Sequence, residues 1–201
     1  LLSDLYELRK KEVPPLSGAE MLGITTAARV IPKEKFNHDL ESLFPFLQER
    51  ETGIKPTRPR FMVSSDMLDN PGYLELIEEV GLVAMDDLDT GIRYFNKNVD
   101  SNSADPAAAL ARRYLTRHGA PRMTFWDKQI DQIIRWVEEF RIDGVINLPQ
   151  MYCYPQTYRS AFLAKKLKEA GIPNMLFERE YFLSNLGQIK TRVEAFAEML
   201  A

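Results

Sequence analysis

The sequence predicts an α/β fold: a doubly wound, four-stranded parallel sheet with an N-terminal helical segment. Three observations support this. Four short, mostly apolar runs lie at 61–63, 82–85, 145–148 and 174–177. Helical periodicity fills the stretches between them, the alternation that produces crossovers onto a parallel sheet. The runs do not alternate apolar with polar residues, which fits strands covered on both faces.

Residues 1–12 read as a helix that Pro14 and Pro15 stop. Leu1 already sits in the helical pattern, so the expectation is a segment in front of it. Ser17 with Glu20 three residues on has the spacing of a capping box. A third helix follows Pro32, with Phe36, Leu40, Leu43, Phe44 and Leu47 on one stripe and Pro45 inside it as an expected kink. The stretch 53–59 contains Gly and Pro and reads as a linker. The division expected from this is a helical segment, 1–55, and a flavodoxin-like α/β domain, 56–201.

The first strand is 61–63. The helix 71–80 that follows has Gly81 as its expected C-cap. The second strand, 82–85, runs into a long loop, Asp86-Asp87-Leu88-Asp89-Thr90-Gly91-Ile92-Arg93-Tyr94. Asp105 caps an Ala-rich helix with Pro106 at its first position, reaching about His118. A long amphipathic helix, 125–141, carries Ile130, Ile133, Ile134, Val137 and Phe140 on one side. The third strand precedes a helix from about 156 to 170, closed by Gly171. The fourth strand and a last helix, about 185–200, complete the chain.

Bulk properties narrow the function. A chain of 201 residues with 45% hydrophobic and 27% charged residues can bury a core without disulfides. The net charge of −3 gives no electrostatic case for nucleic acid or an anionic membrane, and no apolar run has bilayer-spanning length. One cysteine excludes an intrachain disulfide, and a reducing cytoplasm is the expected location. Gly-rich phosphate loops and Ser-centred nucleophile motifs are absent.

Parallel connectivity brings all four strand ends to one rim, where α/β proteins place their chemistry. That rim collects Ser64, Ser65 and Asp66; Asp86, Asp87 and Leu88; 149–154; and Glu178 to Tyr181. Cys153, between Tyr152 and Tyr154, is either a soft thiolate ligand for iron or a small buried hydrophobe. A zinc site lacks a nearby second Cys or His. Asp86 and Asp87 can hold a cation, or can cap their loop and pair with Arg93. A phosphoryl-accepting role needs a Lys at a later strand end, and Leu148 and Glu178 stand there. Glu178 can serve as acid or base, cap the next helix at Ser184, or pair with Arg192. His38 reads as solvated. His118 reads as a cation at a helix end.

The order and spacing of 86–95, Asp143-Gly144-Val145-Ile146, Met151-x-Cys153 and 188–196 resemble the family of 2-hydroxyacyl-CoA dehydratase and benzoyl-CoA reductase subunits. The resemblance covers nearly the whole chain and the C-terminal half of a usual subunit. It implies a heterodimer of related subunits and a 4Fe-4S cluster on three cysteines. It also implies a separate activator that hydrolyses ATP to deliver one low-potential electron, and an acyl-CoA substrate that is dehydrated or reduced through radicals. This chain departs from the pattern: Leu88 stands where members often have Cys, Ala120 where some have Cys, and Tyr154 where Asp is usual. Only Cys153 carries over as cluster and metal ligand. Further ligands would be shared, come from outside this segment or be non-Cys side chains; with none, the chain would be the companion subunit that shapes the site. Ser65, Asp87, Leu88, Arg93, Tyr152, Tyr154 and Glu178 are the expected lining of the thioester pocket. The lead expectation is an ATP-dependent aryl-CoA reductase subunit of the benzoyl-CoA reductase type. The alternatives are a 2-hydroxyacyl-CoA dehydratase subunit and a cluster-free structural subunit.

Overall fold

The structure is a computed structural model that describes residues 1–52, 55, 57–123, 125–183 and 185–200. Part of the expected linker (Gly53, Ile54 and Pro56) and the Ser184 cap lie outside the described residues. In chain order the elements are α1 (Leu2–Leu8), α2 (Gly18–Val30), α3 (Lys33–Glu49), β1 (Arg60–Ser64), α4 (Gly72–Glu78), β2 (Leu82–Asp87), α5 (Pro106–Thr116), α6 (Trp126–Glu139), β3 (Gly144–Asn147), α7 (Tyr154–Glu169), β4 (Asn174–Leu176) and α8 (Leu186–Leu200). A single 3-10 turn, Ile92–Tyr94, follows β2.

The four strands form one sheet in the order β2-β1-β3-β4, and every pairing is parallel. This is the expected doubly wound, flavodoxin-like arrangement. The chain leaves β1 for β2 on one side, then crosses to β3 on the other. The crevice between the carboxyl ends of β1 and β3 is therefore the switch point, where such sheets bind ligands.

Strand side chains alternate between two cores, as a two-residue period requires. Met62, Ala84 and Val145 face a layer that includes Leu5, Leu40, Ile133 and Leu163. Phe61, Val63, Val83 and Ile146 face a layer of Leu74, Ile77, Val193 and Phe196. Helices α1, α2 and α3 thus contribute side chains to the same cores as the sheet. The register between β1 and β2 slips between Phe61 and Met62. The slip puts Met85, together with Ala84, on the first layer.

Local sequence accounts for several boundaries. Ser17 and Glu20 form the capping box in full. The Asp105 carboxylate accepts from Ala108 N at 3.0 Å, with Pro106 opening α5. Pro45 sits inside α3, which continues to Glu49. Gly171, at φ 72°, closes α7. Gly81 does not cap α4, whose C-cap is Glu79 in right-handed conformation. A side chain at Gly81 would instead fall 2.2 Å from the Phe61 ring, so glycine is required there by packing.

Two boundaries bear on the site. β2 extends past Met85 to include Asp86 and Asp87, both buried. α7 starts at Tyr154, so Cys153 is the N-cap residue of a helix rather than part of a long loop.

Candidate functional site

Asp87 ends β2 completely buried, and its carboxylate organises one side of the rim. Arg93 Nε donates to Oδ1 at 2.7 Å and Arg93 Nη2 to Oδ2 at 2.6 Å, a bidentate pair. Arg159 Nη2 donates to Oδ2 at 2.9 Å, and Ser64 Oγ to the same oxygen at 2.7 Å. His118 Nε2 lies 2.8 Å from Oδ1. Burial alone would raise the Asp87 pKa. Attraction to Arg159 and Arg93 and the His118 hydrogen bond outweigh it, holding the carboxyl well below its usual range.

Burial lowers the His118 pKa, against the opposing pull of Asp87. The imidazole is therefore neutral, and because an ionised carboxylate can only accept, Nε2 carries its proton. His118 is thus not the helix-end cation that its position in the sequence suggests. Arg159 is pulled down by burial, while Arg93, gripped by Asp87 and Asp89, is pushed up.

Asp86 anchors a second group. It accepts from the Tyr6 hydroxyl, from Arg9 Nη1 at 3.0 Å and from Ile92 N at 3.0 Å. Asp86 therefore pairs with α1 and its exit, not with Arg93. A Cβ at Gly91 would lie 2.0 Å from Asp86 Oδ1, so only glycine lets the loop close over this carboxylate. Thr90 Oγ1 donates to Leu68 O at 2.6 Å, tying the β2 loop to the β1 loop. The 86–93 motif is thus a scaffold whose carboxylates and Arg93 pair with other side chains, while Asp86 and Thr90 also hold backbone in place.

The third group crosses the switch point. Arg179 Nη2 donates to Asp66 Oδ1 at 2.9 Å and to Met67 O at 2.8 Å. Ser65 Oγ donates to Leu148 O at 2.5 Å. Cys153, half-buried, faces this group. Arg122 Nη2 stands 3.9 Å from its Sγ. Burial raises the Cys153 pKa and Asp66 adds to it, against the Gln156 N–H and Arg122, so the group rests as a thiol.

The structure divides the expected pocket residues. Ser65, Asp87, Leu88 and Arg93 are all buried, at most 1% exposed. Tyr152, Tyr154 and Glu178 are exposed, with Cys153 between the two sets. Tyr152 holds the left-handed backbone conformation at φ 67°, an unusual state for a bulky residue beside a candidate site. At the end of β4, Arg179 rather than Glu178 turns inward. Sequence reasoning does not single out Arg159, Arg9 or Tyr6, and it places Arg179 on the rim without giving it a role. Arg159 carries a signal: it lies on the Gln156, Ser160, Leu163, Leu167 stripe of α7, where a cation implies a buried partner.

The sequence profile of the family described as 2-hydroxyglutaryl-CoA dehydratase, D-component, matches residues 1–200. The chain belongs to this family. Three relatives agree with it. A protein of Escherichia coli named "Putative dehydratase subunit YjiM" is 27% identical over 99% of this chain and 53% of its own length. The (R)-phenyllactyl-CoA dehydratase beta subunit of Clostridium sporogenes is 26% identical over 73% of this chain and 39% of its own. A benzoyl-CoA reductase subunit of Thauera aromatica is 24% identical over 100% of this chain and 53% of its own. The chain thus spans about half the length of the curated dehydratase and reductase subunits it matches. Among the described residues, no helix is long and apolar enough to cross a membrane.

A three-cysteine iron–sulfur cluster does not fit the donor set of this dehydratase-family chain. Cys153 is its one thiol. Leu88 is buried in an apolar cluster. Among the described residues, no group of three His, Cys, Asp or Glu side chains is placed to hold a metal.

Proposed function

We propose that this chain is part of a subunit of an enzyme acting on a CoA thioester, and that its rim forms one wall of the thioester pocket. Family membership along the whole chain supports this reading. The observation that carries it is the half-exposed Cys153 at the N-terminus of α7, on the switch-point crevice. Tyr152 and Tyr154 supply an apolar mouth. The buried Asp87 and Asp66 clusters hold the loops beneath it rigid, which fixes the position of whatever the crevice binds.

The finer reading is reduction of an aryl-CoA, as the resemblance to benzoyl-CoA reductase implies. Dehydration of a 2-hydroxyacyl-CoA is the second reading, favoured by the names of two of the three relatives above. In both, a related subunit and an ATP-dependent activator complete the system. In both, iron–sulfur ligands beyond Cys153 would be shared or come from outside this segment. A cluster-free role, with the radical chemistry entirely in the partner, is the third reading, and the single thiol favours it.

The test is anaerobic co-expression with the partner subunit. Iron and acid-labile sulfide are measured in the wild type and in Cys153→Ser, followed by turnover of benzoyl-CoA against a 2-hydroxyacyl-CoA. Loss of iron in the variant assigns Cys153 as a ligand. Unchanged iron assigns the chain to the pocket wall. Turnover of neither thioester overturns the CoA reading.

A further inference from the structure

The connection between α5 and α6 encloses a separate cavity of about 360 Å³, within the size range of small-ligand sites. Its cations come from two elements. Arg117 follows α5, and Lys128 and Arg135 lie two turns apart on one face of α6. Among the described residues no carboxylate lines it, although α6 carries Asp127, Asp131 and Glu138 elsewhere on its surface. Among the described residues, none of these three cations is in an ion pair.

Their hydrogen bonds leave capacity. Arg135 Nη2 donates to Gln132 Oε1 at 2.8 Å, and Arg117 Nη1 donates to Arg93 O at 2.8 Å. Arg117 Nε is buried, with no hydrogen-bond partner among the described residues. A buried unpaired donor is costly and calls for an acceptor. Thr116, His118, Gln129 and Gln132 add polar lining, and the apolar part comes from Leu115, Met123 and Phe125. Leu115 and Phe125 are 77% and 73% exposed, and Met123 lies between them in sequence. Phe125 holds φ 72°, and Lys128 Nζ lies 5.7 Å from its ring centroid.

Cations without counter-ions beside an exposed aromatic match a ligand with a phosphate at one end and a flat ring at the other. Guanidinium and ammonium groups take the phosphate oxygens, and the aromatic face takes the base. We propose that this cavity binds a phosphorylated nucleotide, with its phosphate on Arg117, Lys128 and Arg135 and its base on Leu115, Met123 and Phe125. In naming the ligand, the inference rests on the CoA-thioester reading, because the nucleotide end of CoA carries a ribose 3′-phosphate. The same loop that lines the cavity carries Arg122 to Cys153, so the two sites share a wall.

The test is calorimetric titration of the full chain with adenosine 3′,5′-bisphosphate, CoA and inorganic phosphate, repeated on Lys128→Ala/Arg135→Ala. Both substituted side chains are exposed, so the variant keeps the fold, which circular dichroism checks. The expected result is binding of the bisphosphate and of CoA, weakened on the order of tenfold or more in the variant, as lost charge-assisted contacts imply. Unchanged CoA affinity in the variant overturns the cavity assignment and leaves the thioester reading standing. Bisphosphate binding that the variant loses, without CoA binding by the wild type, supports the cavity and removes the thioester reading. No binding of either nucleotide, or phosphate binding as tight as nucleotide binding, overturns the proposal.

Discussion

Arg93 holds both oxygens of Asp87, at 2.7 and 2.6 Å, with neither side chain more than 2% exposed. The two residues are six apart, and the loop between them must fold back over the end of β2 to bring them together. That fold-back is held by Asp86, Thr90 and Gly91. The motif therefore encodes a rigid floor for the rim.

Breaking this pair is expected to destabilise the fold strongly. Arg93→Met leaves a buried carboxylate short of two donors, a change that costs about 3–5 kcal/mol in comparable buried pairs. Arg93→Lys recovers only part of it, because an ammonium cannot reproduce the planar fork. Urea unfolding checks both, and an unchanged midpoint for Arg93→Met would show the pair to be dispensable.

Stability is expected to fall on acidification in two stages. The folded-state pKa of His118 lies below its ordinary value of about 6.5, so the unfolded chain binds its proton more readily. Its contribution is complete above about 6.5 and is lost as pH falls through the folded-state value. Asp87 follows the carboxylate rule. Its contribution is complete above the ordinary Asp value of about 3.9 and is lost as pH falls toward its lower folded-state value. His118→Gln removes the first stage and keeps the second. Unfolding free energies measured from neutral to acid pH test this, and a first stage that persists in the variant assigns it to another group.

Gly91→Ala is expected to cost about 1–3 kcal/mol, the usual range for overpacking. Its Cβ meets Asp86 Oδ1 at 2.0 Å, and Asp86 is fixed by Tyr6, Arg9 and Ile92 N. Gly187→Ala is the control. It lies in α8 with none of the described residues within 4 Å of the added carbon, and is expected to stabilise by up to about 1 kcal/mol. Thermal melts of the two variants shifting the same way would contradict this contrast.

Cys153 is expected to alkylate slowly at neutral pH. The thiolate is the nucleophile, and burial with Asp66 holds the group protonated. Iodoacetamide rates against pH are expected to give an apparent pKa above the ordinary thiol range. Arg122→Ala raises it further by removing a cation 3.9 Å from the sulfur. A fast neutral-pH reaction of the wild type would mean that the thiolate is stabilised by something other than these neighbours.

Local rules make much of the fold legible. The apolar runs form β1 to β4, and the Ser17 box, the Asp105 cap and Gly171 set helix ends as their chemistry requires. The Arg93 to Asp87 pairing is legible because the two lie close in sequence. Arg159 is 72 residues from Asp87 and Arg179 is 113 from Asp66, so nothing local announces those pairs. His118 departs from its local reading for the same reason: its helix-end position is local, and its burial against Trp136 and Asp87 is not.

The sequence by itself determined the α/β alternation, the strand ends that gather on one rim, and the single thiol available there. Those follow from periodicity and composition, which act over a few residues. Only the tertiary structure decided which polar residues point inward. Asp86 and Asp87 are neighbours, yet they find different partners, Arg9 and Tyr6 for the first and Arg93, Arg159 and His118 for the second. A buried charge must find its counter-charge wherever the packed chain places one, and that choice is made by the whole fold.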